Sequence, residues 1–105
     1  MNEKKMIDGL AETVRYHAKL NKVPERMIES LVAYVIHGIE PGGFLMAIIR
    51  NDLQLAWTRA DGENRPLIGA YVQTLLSSFP IACYGDNDTV RSWIVDRGYA
   101  GYLEK

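Results

Sequence analysis

Apolar positions recur at helical spacing along almost the whole chain. Ile7, Leu10, Val14, His17 and Ala18 fall on one stripe while Glu12, Arg15 and Lys19 lie off it, which predicts a first helix over residues 4–20. Asn21-Lys22 ends it. Pro24 suits the first turn of a second helix, where a missing N–H costs nothing, and Met27, Leu31, Tyr34 and Val35 give that helix, 24–38, its buried stripe. Gly38 is placed to close it as a C-cap. A third helix, 43–60, starts at Gly42 or Gly43 and turns Leu45, Ile48, Ile49, Leu53 and Ala56 inward. It is the most apolar of the set.

Asp61-Gly62-Glu63-Asn64 interrupts the pattern, and Pro66 opens a fourth helix, 65–79, in which Leu67, Ile68, Tyr71, Val72, Leu75, Leu76 and Phe79 repeat. Beyond Pro80 and an irregular stretch, Asp86 or Asn87 can cap a short helix, 87–96, carrying Val90, Trp93 and Ile94. The tail from Gly98 reads as frayed or loosely docked. No stretch alternates with a period of two for long enough to demand a strand, and nothing repeats internally. One all-α domain spanning 1–105 is expected, a compact bundle of four to five short helices.

Composition narrows the partners. The chain has 105 residues, 48% hydrophobic and 24% charged, enough for one core and too few for two. With a net charge of -1 and a pI near 6.1 it lacks the basic field of a non-specific nucleic-acid binder, so DNA and RNA are not expected partners. The single Cys83 excludes an internal disulfide and a cysteine-based metal site, which points to a reducing, cytoplasmic setting. No run approaches the roughly 20 apolar residues of a membrane span, and the polar start, Asn2-Glu3-Lys4-Lys5, resembles no export signal.

Catalytic and metal chemistry find little footing. His17 and His37 stand without carboxylate or cysteine neighbours at ligand spacing and read as structural or surface residues. Cys83 has no sequence neighbour to activate it and reads as a small buried hydrophobe. Asp52 and Asp61 would stand about 13 Å apart on one helix at ~1.5 Å per residue, too far for a carboxylate pair. Capping suits Asp61 better, as it suits Asp86, Asn87 and Asp88. No enzyme activity and no cofactor are expected.

Pro41-Gly42-Gly43 leaves two readings open. Two glycines at a helix start let backbone N–H groups approach an anion, but they equally serve a tight reversal between two helices. Neither the preceding strand nor the glycine-lysine ending of a phosphate loop is present. Asn51 and Asp52 interrupt an apolar helix and must face solvent, a buried network, a pocket or an interface; if inside, Asp52 needs a partner such as Arg59. Arginines 50, 59, 65 and 91 supply charge, and Trp57, Tyr34, Tyr71, Tyr84 and Trp93 supply rings that stack on bases, anchor interfaces or fill the core.

The run Gly38, Pro41-Gly42-Gly43-Phe44-Leu45, Asn51-Asp52-Leu53, Ala56, Ala60-Asp61 and Asn64, with the later Pro80, Cys83, Gly85, Val90 and Trp93, resembles a pattern of small accessory proteins encoded by tailed phages and prophages. The resemblance covers roughly residues 24–94. Tyr84 stands where a tryptophan is expected, and Asp86-Asn87 replaces a Ser-Pro start to the last helix. The resemblance implies a host-interference protein acting in the host cytoplasm. Two functions follow as expectations. The first is a binder that sequesters a cyclic oligonucleotide or cyclic ADP-ribose signal of host immunity through Gly42, Gly43, Arg50, Asn51, Trp57 and Arg59, its pocket shared between subunits of a homo-oligomer. The second is a protein-binding inhibitor of a host factor, with an exposed aromatic patch and no small-molecule ligand.

Overall fold

In the computed structural model, residues 2–105 form an all-helical domain. Seven α-helices replace the four or five expected: α1 (Glu3–Leu20), α2 (Glu25–His37), α3 (Gly43–Ile49), α4 (Leu53–Arg59), α5 (Ile68–Ser78), α6 (Asn87–Val95) and α7 (Gly98–Leu103). Short 3-10 turns at Arg65–Leu67 and Ile81–Cys83 lead into and out of α5.

The third predicted helix is two helices. Asn51 takes a left-handed conformation with φ of 64°, and the amides of Asn51 and Asp52 donate back to the carbonyls of Ile48 (3.0 Å) and Ala47 (2.8 Å). That pattern is a Schellman stop, which satisfies the last carbonyls of α3 and reverses the chain within two residues. Asp52 then caps α4, its Oδ1 accepting from the Leu55 amide at 3.1 Å. Asn51 and Asp52 are therefore an exposed turn rather than a polar island in a helix, and Asp52 needs no arginine. Lys22 closes α1 by the same device: φ is 64°, and the amides of Lys22 and Val23 donate to Lys19 and Ala18.

Helices α2 and α3 make the centre. Every residue from Phe44 to Ile49 is buried, so α3 is enclosed on all sides, and Ile28, Leu31, Tyr34 and Val35 pack the inner face of α2. The long α1 lies across α2 and α5. Among the described residues every buried side-chain polar atom has a partner: the Tyr34 hydroxyl donates to the Cys83 carbonyl (2.6 Å), the Tyr71 hydroxyl to Asn64 Oδ1, and Trp93 Nε1–H is shared between the carbonyls of Tyr34 and Val35. These bonds pin α6 and the Ile81–Cys83 turn to α2, and α5 to the turn at Asn64.

The tail is not frayed. From Gly98 it forms α7, which docks on α2 and α1 with Gly98 and Gly101 buried against backbone. Gly98 permits the close approach to Gly38 and Ile36 of the α2 end, and Gly101 the approach to the Asp96 carbonyl.

Candidate functional site

The six residues expected to hold a nucleotide fall in separate places. Gly42 and Gly43 start α3, and Arg59 folds back over them from the end of α4, its Nη1 3.3 Å from where a Cβ at Gly43 would stand. Arg50 is at the other end of α3, turned toward α6. Asn51 makes the reversal, and Trp57 projects outward from α4. Gly42, Gly43 and Arg59 are brought together; Arg50, Asn51 and Trp57 do not join them. The helix at whose start the glycines lie is seven residues long, just under two turns, and neither glycine takes a positive φ; only Gly43 is closely approached, by the Arg59 side chain.

A different feature stands out on the surface. Helix α4 packs on α3 and leaves its outer side facing a groove along α5. One end of the groove, lined by Leu53, Gln54, Trp57, Thr58 and Ile68, encloses about 590 Å³. Leu53 and Ile68 continue into a small dip beside Val72, and Val72 and Asn51 into a cleft of about 200 Å³ against Leu76 and Tyr84. Shared residues make the three depressions one apolar channel. Leu53 is 65% exposed, Trp57 57%, Leu76 64% and Val72 41%. The sequence pattern places Leu53, Val72 and Leu76 inward, and the structure turns them out. Other exposed apolar side chains, such as Leu20, Ile39, Ile81 and Val95, are scattered over other helices and turns, as is ordinary on a protein surface.

The walls of this groove are held firmly. The Arg65 guanidinium stacks over the Trp57 ring at 5.1 Å and donates to the carbonyls of Trp57 (3.3 Å) and Ala60 (3.0 Å), so one side chain orients the indole and closes the end of α4. The following turn is tied down by Asp61, whose Oδ1 accepts from the Asn64 amide (2.8 Å) and whose Oδ2 meets Arg26 (3.0 Å) beside Glu63. Asp61 thus braces a turn rather than capping a helix as expected: α4 ends on Ala60, and the 3-10 turn starts from Asn64. The Asn64 amide and Arg26 hold the Asp61 carboxyl below the usual carboxylate range. Gly85 donates to the Ile49 carbonyl (2.9 Å), fixing the far end of the groove to α3.

One sequence signal marks this face. From Pro66 to Gly85 the chain carries no Asp, Glu, Lys or Arg, although α5 exposes Gly69, Val72, Gln73, Leu76 and Ser77 to solvent. A solvated helix face of ordinary composition carries charge. Charge depletion with an aromatic at the centre is the composition of an interface core.

Reactive chemistry is not assembled on the groove. Cys83 is fully buried, and loss of hydration pushes its thiol up to about 12, so it is a core residue and no nucleophile. Among the described residues no three His, Cys, Asp or Glu side chains stand close enough to hold a metal ion. His17 packs edge-on against Tyr16 near the end of α1, and His37 ends α2 on the surface. No described helix is long and apolar enough to cross a membrane. No protein family, curated protein or solved structure matches the chain.

Proposed function

We propose that this chain is a non-enzymatic protein-binding module that seats an apolar helix of a partner protein in the groove between α4 and α5. The observation that carries the reading is the continuous, largely apolar channel from Trp57 to Tyr84, whose indole at one end is already oriented by Arg65 and whose one charged lining residue is Asp52. An anchor whose rotamer is fixed before binding loses little entropy on association, and tryptophan is the residue most enriched among binding hot spots. Uncharged Gln54 and Thr58 flank the indole at its end of the channel, and Gln73 and Ser77 are exposed on α5 without adding charge.

Inhibition of a host factor, the second function implied by the resemblance to phage accessory proteins, is the role that fits such a module. Sequestration of a cyclic nucleotide draws less support, since Arg50, Asn51 and Trp57 do not gather around Gly42, Gly43 and Arg59. Affinity capture from host lysate with the full chain, followed by hydrogen–deuterium exchange of the purified complex, tests the proposal. The expected result is one stoichiometric partner, protection confined to α4 and α5, and loss of capture with Trp57→Ala or Leu76→Glu but not with Leu20→Glu on α1. Capture that survives both groove variants overturns it. A chain that light scattering finds dimeric through this same groove overturns it as well, because the channel is then occupied by a second copy.

A further inference from the structure

On the opposite side of the Asn51 turn from the groove, a second cleft of about 190 Å³ opens between the end of α3 and α6. Its floor is apolar, formed by Met46 and Ile94 among others, and its polar groups are the guanidinium groups of Arg50 and Arg91, the Asn87 amide and the Glu40 carboxylate. Three arginines of the chain are half-buried, Arg15, Arg50 and Arg65. Arg15 is paired with Glu12 and Glu29, and Arg65 donates to two carbonyls. Arg50 alone of the three has neither an ion pair nor a hydrogen-bond acceptor among the described residues, and Arg91 beside it has none either. Five N–H donors on a partly shielded cation make a receptor for a planar anion.

We propose that this cleft binds a small apolar carboxylic acid, its carboxylate held by Arg50 and Arg91 and its hydrocarbon part on Met46 and Ile94. Two considerations choose this chemistry over a phosphate ester or a nucleotide. The volume lies below the roughly 300 Å³ at which pockets for drug-sized ligands begin, which favours a small ligand over a nucleotide. Glu40 reduces the formal charge of the lining to +1, which matches a monoanion and disfavours a dianion. The inference stands apart from the α4–α5 groove and does not depend on a protein partner there.

Titration of the isotopically labelled full chain with sodium benzoate, followed by amide and arginine Nε resonances at constant ionic strength, tests the site. Expected are saturable shifts at Arg50 and along Asn87–Arg91, absent with the neutral benzyl alcohol, and weakened at least about tenfold in both Arg50→Gln and Arg91→Gln. Arg91 lies on the exposed side of α6, so its variant keeps the fold even if Arg50→Gln does not. Glu40→Gln removes a like charge and tightens benzoate by roughly threefold. Shifts that never saturate, shifts that persist in Arg91→Gln, or inorganic phosphate binding more tightly than benzoate each overturn the proposal.

Discussion

Gly38 and Gly98 meet backbone to backbone. A Cβ at Gly98 would stand 2.5 Å from the Gly38 amide nitrogen and 2.7 Å from the Ile36 carbonyl, and one at Gly38 would stand 2.9 Å from the Gly98 nitrogen. Both residues have positive φ, 65° and 69°. The contact lets the end of α2 receive the turn between α6 and α7, and neither position tolerates a side chain.

Gly98→Ala is accordingly expected to destabilise the fold by roughly 2–4 kcal/mol, from backbone strain and collision together. Gly9→Ala should do the opposite. Gly9 is an exposed residue inside α1 with nothing near its missing Cβ, and alanine there raises stability by about 1 kcal/mol. Urea unfolding of the two variants checks both signs.

The two left-handed helix stops separate strain from capping. Lys22 is exposed, makes no ion pair, and occupies a conformation that disfavours a Cβ, so Lys22→Gly is expected to raise stability by about 0.5–1 kcal/mol. Asp52→Ala removes the bond to the Leu55 amide and costs about 1 kcal/mol. Thermal unfolding of the pair should move in opposite directions.

Alkaline solution should unfold the protein through its buried acids. Burial raises Cys83 from 9.0 to about 12, raises Tyr71 from 10.0 to about 12, and raises Tyr34 from 10.0 as well. In each case the folded value lies above the unfolded one, so the neutral groups stabilise fully below about pH 9, and that contribution is lost as pH climbs toward the folded values. The urea midpoint should fall between about pH 9 and pH 12, and Cys83→Ala should fall less steeply. Below this range the native thiol should react with disulfide reagents only at the rate of unfolding.

The two tryptophans offer separate reports. Trp93 is buried and hydrogen-bonded to the end of α2, whereas Trp57 is open to solvent on α4. Trp57→Phe should leave a blue-shifted emission that acrylamide barely quenches, and Trp93→Phe a red-shifted, readily quenched one. Filling the groove should shield the second emission and leave the first unchanged.

Much of the fold is legible in residue spacing. Helices α1, α2, α5 and α6 begin and end close to Pro24, Gly38, Pro66, Pro80 and Asp86, because caps and prolines act within one turn of chain. The reversal at Asn51 is hidden because apolar residues continue on both sides of it, and only two non-helical residues, Asn51 and Asp52, tell two short helices from one long one. Asn51-Asp52 is the visible trace of that turn. The groove is hidden for another reason: helical periodicity says that Leu53, Val72 and Leu76 face something apolar, and it does not say whether that is the chain's own core. The missing charge between Pro66 and Gly85 is the better indicator. The tail is hidden because Gly98 acts through Gly38 and Ile36, which are distant in sequence.

Helix α3 is seven residues long and enclosed from Phe44 onward. A helix that short has almost no population on its own in water, so it exists only once the surrounding helices have closed around it. Its amides should therefore exchange with solvent only through global opening, as the slowest in the molecule. The wall on which α4 rests is thus among the last parts to form and to melt, and a nascent or partly unfolded chain would display the apolar residues of the groove without the groove.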